Sequence, residues 1–268
     1  RKTRDVLMSA LIQKREDLGF TPTVAIIQVG ERPDSTAFIK AKKAFAAKIG
    51  VEVRYIQLPE TVTQTELLKA INDCNTAKDV HGIIVQLPLP EGIDRDAVIS
   101  RIDPRKDVDG ITPTNVALWK THISSAIWPA TARGIRELCV FNGLVLKDKK
   151  VAVIGRSALV GQPIAAMCEA EGAKVTVCHK ETSDIPAITR EADIIITATG
   201  HIGLVTPEYV RAGQTVIDVG ISKTSDSRTV GDVDFDAVKD IVDSVTPVPG
   251  GVGPMTVLGV FEIGRAHV

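Results

Sequence analysis

The sequence predicts an α/β protein of two domains, each built on a parallel sheet. Apolar strand-like runs alternate with helical patterns along both halves of the chain, which is typical of such sheets. In the second half, the run 151–154 stops at Gly155, and a helical pattern begins after Gly161 and Pro163. A strand that breaks at a glycine and restarts as a helix leaves backbone N–H groups free to bind an anion such as a nucleotide phosphate. The second domain is therefore predicted to be a Rossmann-type NAD(P)-binding domain that faces the first across a cleft.

Composition limits the classes of function. The 268 residues are 44% hydrophobic, which suffices for two modest cores. The formal net charge of −1 gives no field that would attract nucleic acid, and no apolar run reaches the roughly 18 residues of a membrane helix. We therefore expect no nucleic-acid or membrane partner. The four cysteines lack C-x-x-C spacing and the histidines lack metal-ligand spacing, which predicts free thiols in the cytoplasm and no metal.

The first half is predicted to contain three parallel strands and their helices. An amphipathic helical pattern over 1–19 is already in progress at Arg1, so we expect residues upstream of it. Strands are predicted at 23–30, 51–58 and 81–90, and helices at 36–50 (capped by Asp34 or Ser35), near 65–75 and at 95–102.

The second half follows a predicted linker within 112–129. Helices are predicted at 131–141, after Gly161 and at 234–242, with a final helical segment, and strands at 151–154, 174–179, 193–200 and 215–220. We place the first domain at 1–125 and the second at 126–249, with 250–268 returning to pack on the first.

The end of strand 174–179 bears on the choice of dinucleotide. Sites for NAD usually have an Asp or Glu about 20 residues after the glycines, which binds the ribose 2′-hydroxyl. Here His179 and Lys180 stand at the strand end, and a cationic pair suits the 2′-phosphate of NADP. The residues thus favour NADP over NAD. Two alternatives stay open: a solvated lysine at a strand end, and a plain α/β turn, because the glycines depart from G-x-G-x-x-G.

Lys42 is the first candidate for chemistry. At about 100° per residue, Phe38, Phe45 and Ile49 share one face of their helix, and Lys42 falls within that apolar stripe. Such a lysine is either a snorkelling stem with a solvated head or an amine that exchanges protons with a ligand. Gln86, in the apolar strand 81–90, would need a partner if buried, and Lys42 or a ligand would serve. An edge glutamine facing water is the alternative.

Two further segments have the composition of ligand-binding turns. Asp107 and Asp109, in KDVDG, are either ordinary turn residues or carboxylates that accept N–H bonds from a flat, amidine-like ligand edge. The run PGGVGP, 249–254, has glycines that would let backbone approach a ligand closely. A purely structural turn is the alternative there.

These motifs together resemble those of the methylenetetrahydrofolate dehydrogenase/cyclohydrolase family. They occur in the family's order over nearly the whole chain: residues 35–43, HGIIVQLPLP, KDVDG, GRSALVGQP, TVIDVG, GDVDF and PVPGGVGPMTV. The resemblance implies oxidation of 5,10-methylenetetrahydrofolate to the methenyl form with NAD(P), then hydrolysis to 10-formyltetrahydrofolate. It also implies a folate bound in the cleft, a homodimer, and a place in one-carbon metabolism and purine biosynthesis.

The resemblance also implies roles for single residues. Lys42 matches the catalytic lysine, Gln86 its hydrogen-bonding partner, and Asp109 the aspartate that holds the pterin edge. The other implied positions contact the folate substrate (Phe38, Val85, Leu87, Pro249, Gly250 and Gly253) or the NADP cofactor (Thr131, Gly155, Arg156, Ser157, Lys180 and Ile221).

The chain departs from the family at a few positions. Phe38 replaces a usual tyrosine, which removes a hydroxyl near the reacting carbon, so a weakened cyclohydrolase is the alternative for the second step. Lys180 stands where the family commonly has Ser, and Ala130 and Ala132 where it has Cys and Pro. Two other interpretations stay open: a shikimate-type NAD(P) oxidoreductase, and a folate-binding protein without turnover.

Overall fold

The computed structural model describes residues 2–123 and 125–261 and divides into two α/β units. The first unit contains residues 2–130 and 257–261, and the second contains residues 131–256. Residues 262–268, the end of the segment predicted to return to the first domain, lie outside the described residues. Within the described ranges, none of the helices combines the length and apolarity needed to cross a bilayer.

A three-stranded parallel sheet, ordered β2-β1-β3, lies at the centre of the first unit. Its elements are α1 (Lys2–Asp17), β1 (Thr23–Val29), α2 (Pro33–Ile49), β2 (Glu52–Leu58), α3 (Gln64–Thr76), β3 (Gly82–Val85), α4 (Arg95–Arg101) and α5 (Pro113–Lys120). All seven residues of β1 are buried, because β1 pairs on both sides and is covered on both faces. One face packs Ala25, Ile27 and Val29 against Leu67 and Ile71 of α3.

Helix α2 begins earlier than predicted. The expected cap at Asp34 or Ser35 was wrong, because the residue at the cap is Arg32, without a side-chain hydrogen bond. Pro33 occupies the first turn, where a missing N–H breaks no helical bond.

Strand β3 is shorter than the predicted 81–90. The backbone N–H of Gln86 still donates to the Ile27 carbonyl at 2.9 Å, but Pro88 and Pro90 have no N–H to continue the ladder. Gln86 therefore lies just beyond the carboxyl end of β3 rather than inside a strand.

The stretch 112–129 contains helix α5 and two tryptophans. Thr112 caps α5 by accepting the N–H of Asn115 at 3.4 Å. The buried Trp119 donates its indole N–H to the Gly110 carbonyl at 3.2 Å, and its ring centroid lies 6.1 Å from that of Trp128. The stretch predicted as a linker is therefore partly helical and contains a buried side chain.

The second unit is built on a five-stranded parallel sheet, ordered β10-β7-β6-β4-β5. Its elements are α6 (Ala130–Phe141), β4 (Lys150–Ile154), α7 (Gly161–Ala170), β5 (Lys174–Cys178), α8 (Ile185–Glu191), β6 (Ile194–Thr197), a 3-10 turn (Pro207–Tyr209), β7 (Thr215–Asp218), β8 (Ser222–Lys223), β9 (Thr229–Val230), α9 (Phe235–Val238), β10 (Ser244–Val245) and α10 (Val252–Phe261). The predicted Rossmann-type sheet is confirmed, whereas the helix predicted over 234–242 shortens to α9.

All four cysteines are buried and free: Cys74, Cys139, Cys168 and Cys178. Burial raises the pKa of the Cys139 and Cys168 thiols to about 12, so these groups stay protonated at neutral pH and pack as small apolar side chains.

Candidate active site

Lys42 and Gln86 meet at the carboxyl end of β3. The Lys42 ammonium donates to Oε1 of Gln86 at 3.2 Å, and both side chains are half-buried. Nε2 of Gln86 donates to the carbonyl of Leu87 at 2.9 Å. Because the backbone holds the amide nitrogen, the amide oxygen is turned toward the lysine. The structure thus brings together the two residues that the sequence analysis paired.

A second glutamine fixes the start of α2. Gln28, buried in β1, donates through Nε2 to the Thr36 hydroxyl at 3.3 Å and accepts the Tyr55 hydroxyl at 2.8 Å. The Lys43 ammonium lies 3.4 Å from the centroid of the Tyr55 ring, a cation–π contact. These contacts hold the helix that carries Lys42. The sequence analysis missed Gln28, whose signal is a polar residue within the apolar run TVAIIQV.

Phe38 does not share the buried face of α2. Its side chain is 46% exposed, whereas Ile39 and Phe45 are 3% and 4% exposed. The predicted common stripe was therefore wrong for Phe38, although Phe45 does pack, against Phe261, with ring centroids 5.7 Å apart. An exposed ring one turn before Lys42 lies on the same side of the helix as the amine and is accessible to a ligand.

The two aspartates of KDVDG differ in their surroundings. Asp107 is fully buried, and its Oδ2 accepts the Thr112 N–H at 2.8 Å and Nδ2 of Asn115 at 2.9 Å. It thus holds the turn that leads into α5. Asp109 is half-buried and reaches the surface. Of the pair, Asp109 is therefore the more exposed residue.

Val85 and Leu87 flank Gln86 with different exposure. The Val85 side chain is 2% exposed and packs in the core with Leu67 and Ile71, so only its backbone is open to a ligand. Leu87 is half-buried and precedes a cis bond to Pro88.

In the second unit, a tight glycine loop joins β4 to α7. Gly155 has φ +116°, and a Cβ there would lie 2.4 Å from the carbonyl oxygen of Ala198. A Cβ at Gly161 would lie 2.1 Å from the Gly155 carbonyl oxygen. The Ser157 hydroxyl accepts the Gly161 N–H at 3.3 Å, and its carbonyl accepts the Gln162 N–H at 3.0 Å. Only glycine permits this close packing of the loop.

This loop fits the phosphates of a dinucleotide. Among the described residues, the N–H groups of 156–160 have no protein acceptor. The N-terminus of α7 adds the positive end of its dipole. The side chains of Arg156 and Ser157 are exposed, as is that of Lys180 beyond β5. The loop therefore offers both backbone donors and cations to an anionic ligand.

Two buried aspartates organise the carboxyl ends of β6 and β7. Oδ2 of Asp232 accepts the Thr197 hydroxyl at 2.9 Å, the Thr199 N–H at 2.6 Å and the Thr199 hydroxyl at 2.9 Å. Asp218 ends β7, and burial, followed by the charge of Asp232, raises the pKa of its carboxyl. Asp218 accepts three N–H groups, from Gly220 (2.9 Å), Asp232 (3.1 Å) and Val233 (2.9 Å). The sequence analysis did not foresee this cluster.

The PGGVGP loop begins beside that cluster. The Asp218 N–H donates to the Thr246 hydroxyl at 2.8 Å, just before the loop. A Cβ at Gly253 would lie 3.7 Å from Cδ1 of Ile221, a side chain that is 48% exposed. The structure therefore brings together Gly253, which the resemblance assigns to folate, and Ile221, which it assigns to the cofactor.

Three other predicted residues lie in the same unit. Pro249 is exposed after a cis bond, and Gly250 has open space where a Cβ would stand. Thr131, half-buried on α6, accepts the Thr256 hydroxyl at 3.4 Å. This contact ties the start of α6 to α10 rather than to the glycine loop.

Comparison with protein families decides what the chain is related to. A model described as tetrahydrofolate dehydrogenase/cyclohydrolase, catalytic domain, matches residues 1–109, and one described as tetrahydrofolate dehydrogenase/cyclohydrolase, NAD(P)-binding domain, matches residues 129–263. The chain belongs to the tetrahydrofolate dehydrogenase/cyclohydrolase family. The resemblance found in the sequence is thereby confirmed, and a shikimate-type oxidoreductase is excluded because both halves match.

Individual relatives agree with this membership. The bifunctional protein FolD of Lactobacillus acidophilus is 44% identical over 263 residues, 96% of this chain and 92% of that protein. The crystal structure of the bifunctional enzyme FolD, a methylenetetrahydrofolate dehydrogenase/cyclohydrolase from Campylobacter jejuni, has a TM-score of 0.94 at 38% identity and covers 97% and 94% of the two chains. A FolD structure from Trypanosoma brucei, complexed with NADP cofactor and inhibitor, has a TM-score of 0.91 at 36% identity and covers 99% and 94%.

Proposed function

We propose that different residues of this chain act in the two steps of the reaction of its family. Lys42 acts in the hydrolysis. The chain oxidises 5,10-methylenetetrahydrofolate to 5,10-methenyltetrahydrofolate with NADP and hydrolyses the product to 10-formyltetrahydrofolate. The two steps make different demands on a protein, because only the second needs protons moved between heavy atoms.

The oxidation needs positioning more than acid–base help. The hydride leaves a carbon that lies between two nitrogens, and the resulting cation is delocalised over both. NADP, when bound, supplies the hydride acceptor. The protein's task is to hold the reactants at near-attack distance, about 3–3.5 Å. Residues proposed to hold NADP are Gly155, Arg156, Ser157, Lys180, Ile221 and Thr131, and the tight glycine loop with its unpartnered N–H groups supports this.

The hydrolysis needs a proton carrier. Water adds to the cationic carbon and loses a proton, which leaves a hydroxyl on that carbon. The hydroxyl then loses its own proton to form the formyl C=O, while the bond to one ring nitrogen breaks and that nitrogen gains a proton, so one proton is released overall. Lys42 is proposed to carry these protons, oriented by Gln86. The observation that carries the proposal is the 3.2 Å hydrogen bond from the Lys42 ammonium to the Gln86 amide oxygen. A half-buried amine in a fixed position can act in general acid–base catalysis.

The remaining site residues are proposed to bind the folate. The Asp109 carboxylate would accept N–H groups from the pterin edge, and the exposed Phe38 ring would stack on the ligand. Leu87, Pro249, Gly250, Gly253 and the backbone of Val85 would provide the other contacts.

The variant Lys42→Met tests the proposal. We expect methenyl hydrolysis to fall by about 100-fold or more, since general acid–base catalysis contributes that much, while folate still binds. The matched control is Lys40→Met, an exposed lysine of the same helix, which should hydrolyse at the normal rate. Unchanged hydrolysis in Lys42→Met would remove Lys42 from the mechanism. Folate binding without oxidation or hydrolysis by the unmodified chain would favour the binding-protein alternative.

We also propose that the chain works as a homodimer in the cytoplasm. The four buried, free thiols support a reducing compartment. Exposed apolar side chains near the end of α6, Val140, Phe141 and Val145, support contact with a second copy. Sedimentation at micromolar concentration should give twice the mass of one chain, and a mass of 28.7 kDa would contradict the dimer.

A further inference from the structure

Glu181 lies beside the glycine loop, in a position that the sequence analysis did not single out. Its Oε2 is 3.3 Å from Nη2 of Arg156 and 3.7 Å from Nδ1 of His179. The Arg156 and Glu181 side chains are 53% and 63% exposed. Both charges are therefore accessible to a ligand at the carboxyl ends of β4 and β5.

The turn that carries Glu181 is held by hydrogen bonds. The His179 N–H donates to the Thr182 hydroxyl at 3.0 Å, and the Thr182 N–H returns to the His179 carbonyl at 2.8 Å. The N–H of Glu181 donates to Nδ1 of His179 at 3.3 Å. The backbone that carries Glu181 is thus held in place, and the ion pair with Arg156 separates by rotation of the two exposed side chains.

In a dinucleotide-binding site, the side chains that follow the second strand determine whether the site binds a ribose 2′-hydroxyl or a 2′-phosphate. An acidic residue after the second strand accepts the hydroxyl and repels the phosphate, whereas an arginine binds the phosphate through its guanidinium fork. Here both groups are present and paired with each other. Arg156 must exchange its carboxylate partner for the phosphate, and the phosphate must then be held close to a carboxylate of like charge.

We propose that Glu181 is a specificity-determining residue that reduces the preference of this enzyme for NADP over NAD. The inference rests on the proposed function, in which the loop 155–161 holds the dinucleotide. Glu181 neutralises Arg156 and opposes the 2′-phosphate, and it provides an acceptor for a 2′-hydroxyl. The site therefore admits NAD beside NADP.

Calorimetric titration of the full chain tests this with NADP, NAD and their fragments 2′,5′-ADP and 5′-AMP. We expect Glu181→Gln to bind NADP and 2′,5′-ADP about tenfold more tightly, with NAD and 5′-AMP unchanged or weaker. The gain should shrink in about 1 M salt, where the Debye length is about 3 Å. The matched control is Glu191→Gln, which removes an exposed carboxylate paired with Lys150, 3.4 Å away at the start of β4.

The outcomes separate this inference from the proposed function. An unchanged NADP-to-NAD ratio in Glu181→Gln, or an equal change for both dinucleotides, would overturn the inference while leaving the proposed function intact. A gain that persists in high salt would also overturn it, because a rearranged turn and not a charge would then be the cause. Absence of binding of both dinucleotides to the unmodified chain would instead overturn the proposed function. A second variant, Glu181→Ser, should reproduce the gain if charge is responsible.

Discussion

At Phe38 the chain presents an exposed ring without a hydroxyl, one helical turn before the proposed proton carrier. A hydroxyl added there would lie on the side of α2 that carries Lys42, where it would hydrogen-bond to the water or the amine during hydrolysis. We therefore expect Phe38→Tyr to raise the rate of methenyl hydrolysis severalfold and to leave the oxidation rate nearly unchanged.

The separate absorbance changes of the methenyl and reduced nicotinamide species measure both rates in that variant. Phe20→Tyr is the matched control, since Phe20 is also exposed, at 48%, but stacks on His81, which precedes the amino end of β3. Equal hydrolysis rates in Phe38→Tyr and the unmodified chain would mean that the missing hydroxyl does not limit the second step.

Some residues of the candidate site could be predicted from the sequence, and others could not. Lys42 was found from the sequence because a cation within an apolar helical stripe is a local signal. Gln28 and Asp232 were not, because their roles depend on partners distant in sequence: Tyr55 for Gln28, and Thr197 for Asp232. A polar residue in a buried strand signals that a partner must exist, but only the fold supplies its identity.

Helix α3 is capped at its carboxyl end by a lysine that lies outside the helix, about 30 residues later in the chain. The Lys106 ammonium donates to the carbonyls of Cys74 (3.1 Å), Asn75 (2.7 Å) and Ala77 (2.8 Å) at the carboxyl end of α3. Helix ends leave such carbonyls without partners, and a cation there also complements the helix dipole. Lys106 is half-buried, and this burial lowers the pKa of its ammonium.

The variant Lys106→Met keeps the apolar stem and removes the donor. We expect the free energy of unfolding to fall by about 2–3 kcal/mol, because three acceptors lose a charged partner. The control Lys69→Met removes an exposed lysine of α3 whose ion pair with Asp73 is in solvent, and should cost less than about 0.5 kcal/mol. Urea unfolding measures both. Equal losses in the two variants would contradict a capping role for Lys106.

Elements with a strong local pattern were predicted well, and the others were not. The apolar run of β4, broken at Gly155, identified the strand, the loop and α7 from a few residues. The predicted β3 was too long because the apolar run continues to Pro88 and Pro90. These prolines have no backbone N–H with which to form the hydrogen bonds of a sheet. Helix α5 was missed because Pro113 after Thr112 is as typical of a loop as of a helix start. The two-residue strands β8, β9 and β10 are too short to show a period.

At the scale of the whole molecule, Asp218 couples stability to pH. Burial raises the pKa of Asp218 in the folded chain, and this effect outweighs the opposing effect of the backbone N–H groups that donate to its carboxylate. A carboxyl whose pKa is raised by folding contributes stability that is fully present below its unfolded pKa of about 3.9 and is lost as pH rises through the folded pKa. The free energy of unfolding of the unmodified chain minus that of Asp218→Asn should therefore decrease as pH rises through this window and then level off.

Urea unfolding followed by circular dichroism, from about pH 4 to about pH 7, measures this difference. Asp240→Asn, which removes an exposed carboxylate from the same unit, is the matched control variant. A difference for Asp218→Asn that stays constant over the whole range would show that its carboxyl titrates alike in the folded and unfolded chain.

The position of the tryptophans decides what an optical experiment on this protein can observe. The chain has two, Trp119 and Trp128, and both belong to the first unit. Their emission follows the environment of that unit, while residues 131–256 contribute no indole signal. Far-ultraviolet dichroism, in contrast, follows the helices and strands of both units. Superposition of the two unfolding curves would therefore indicate one cooperative transition, and a titration of Asp218 followed by emission alone would miss an event confined to residues 131–256.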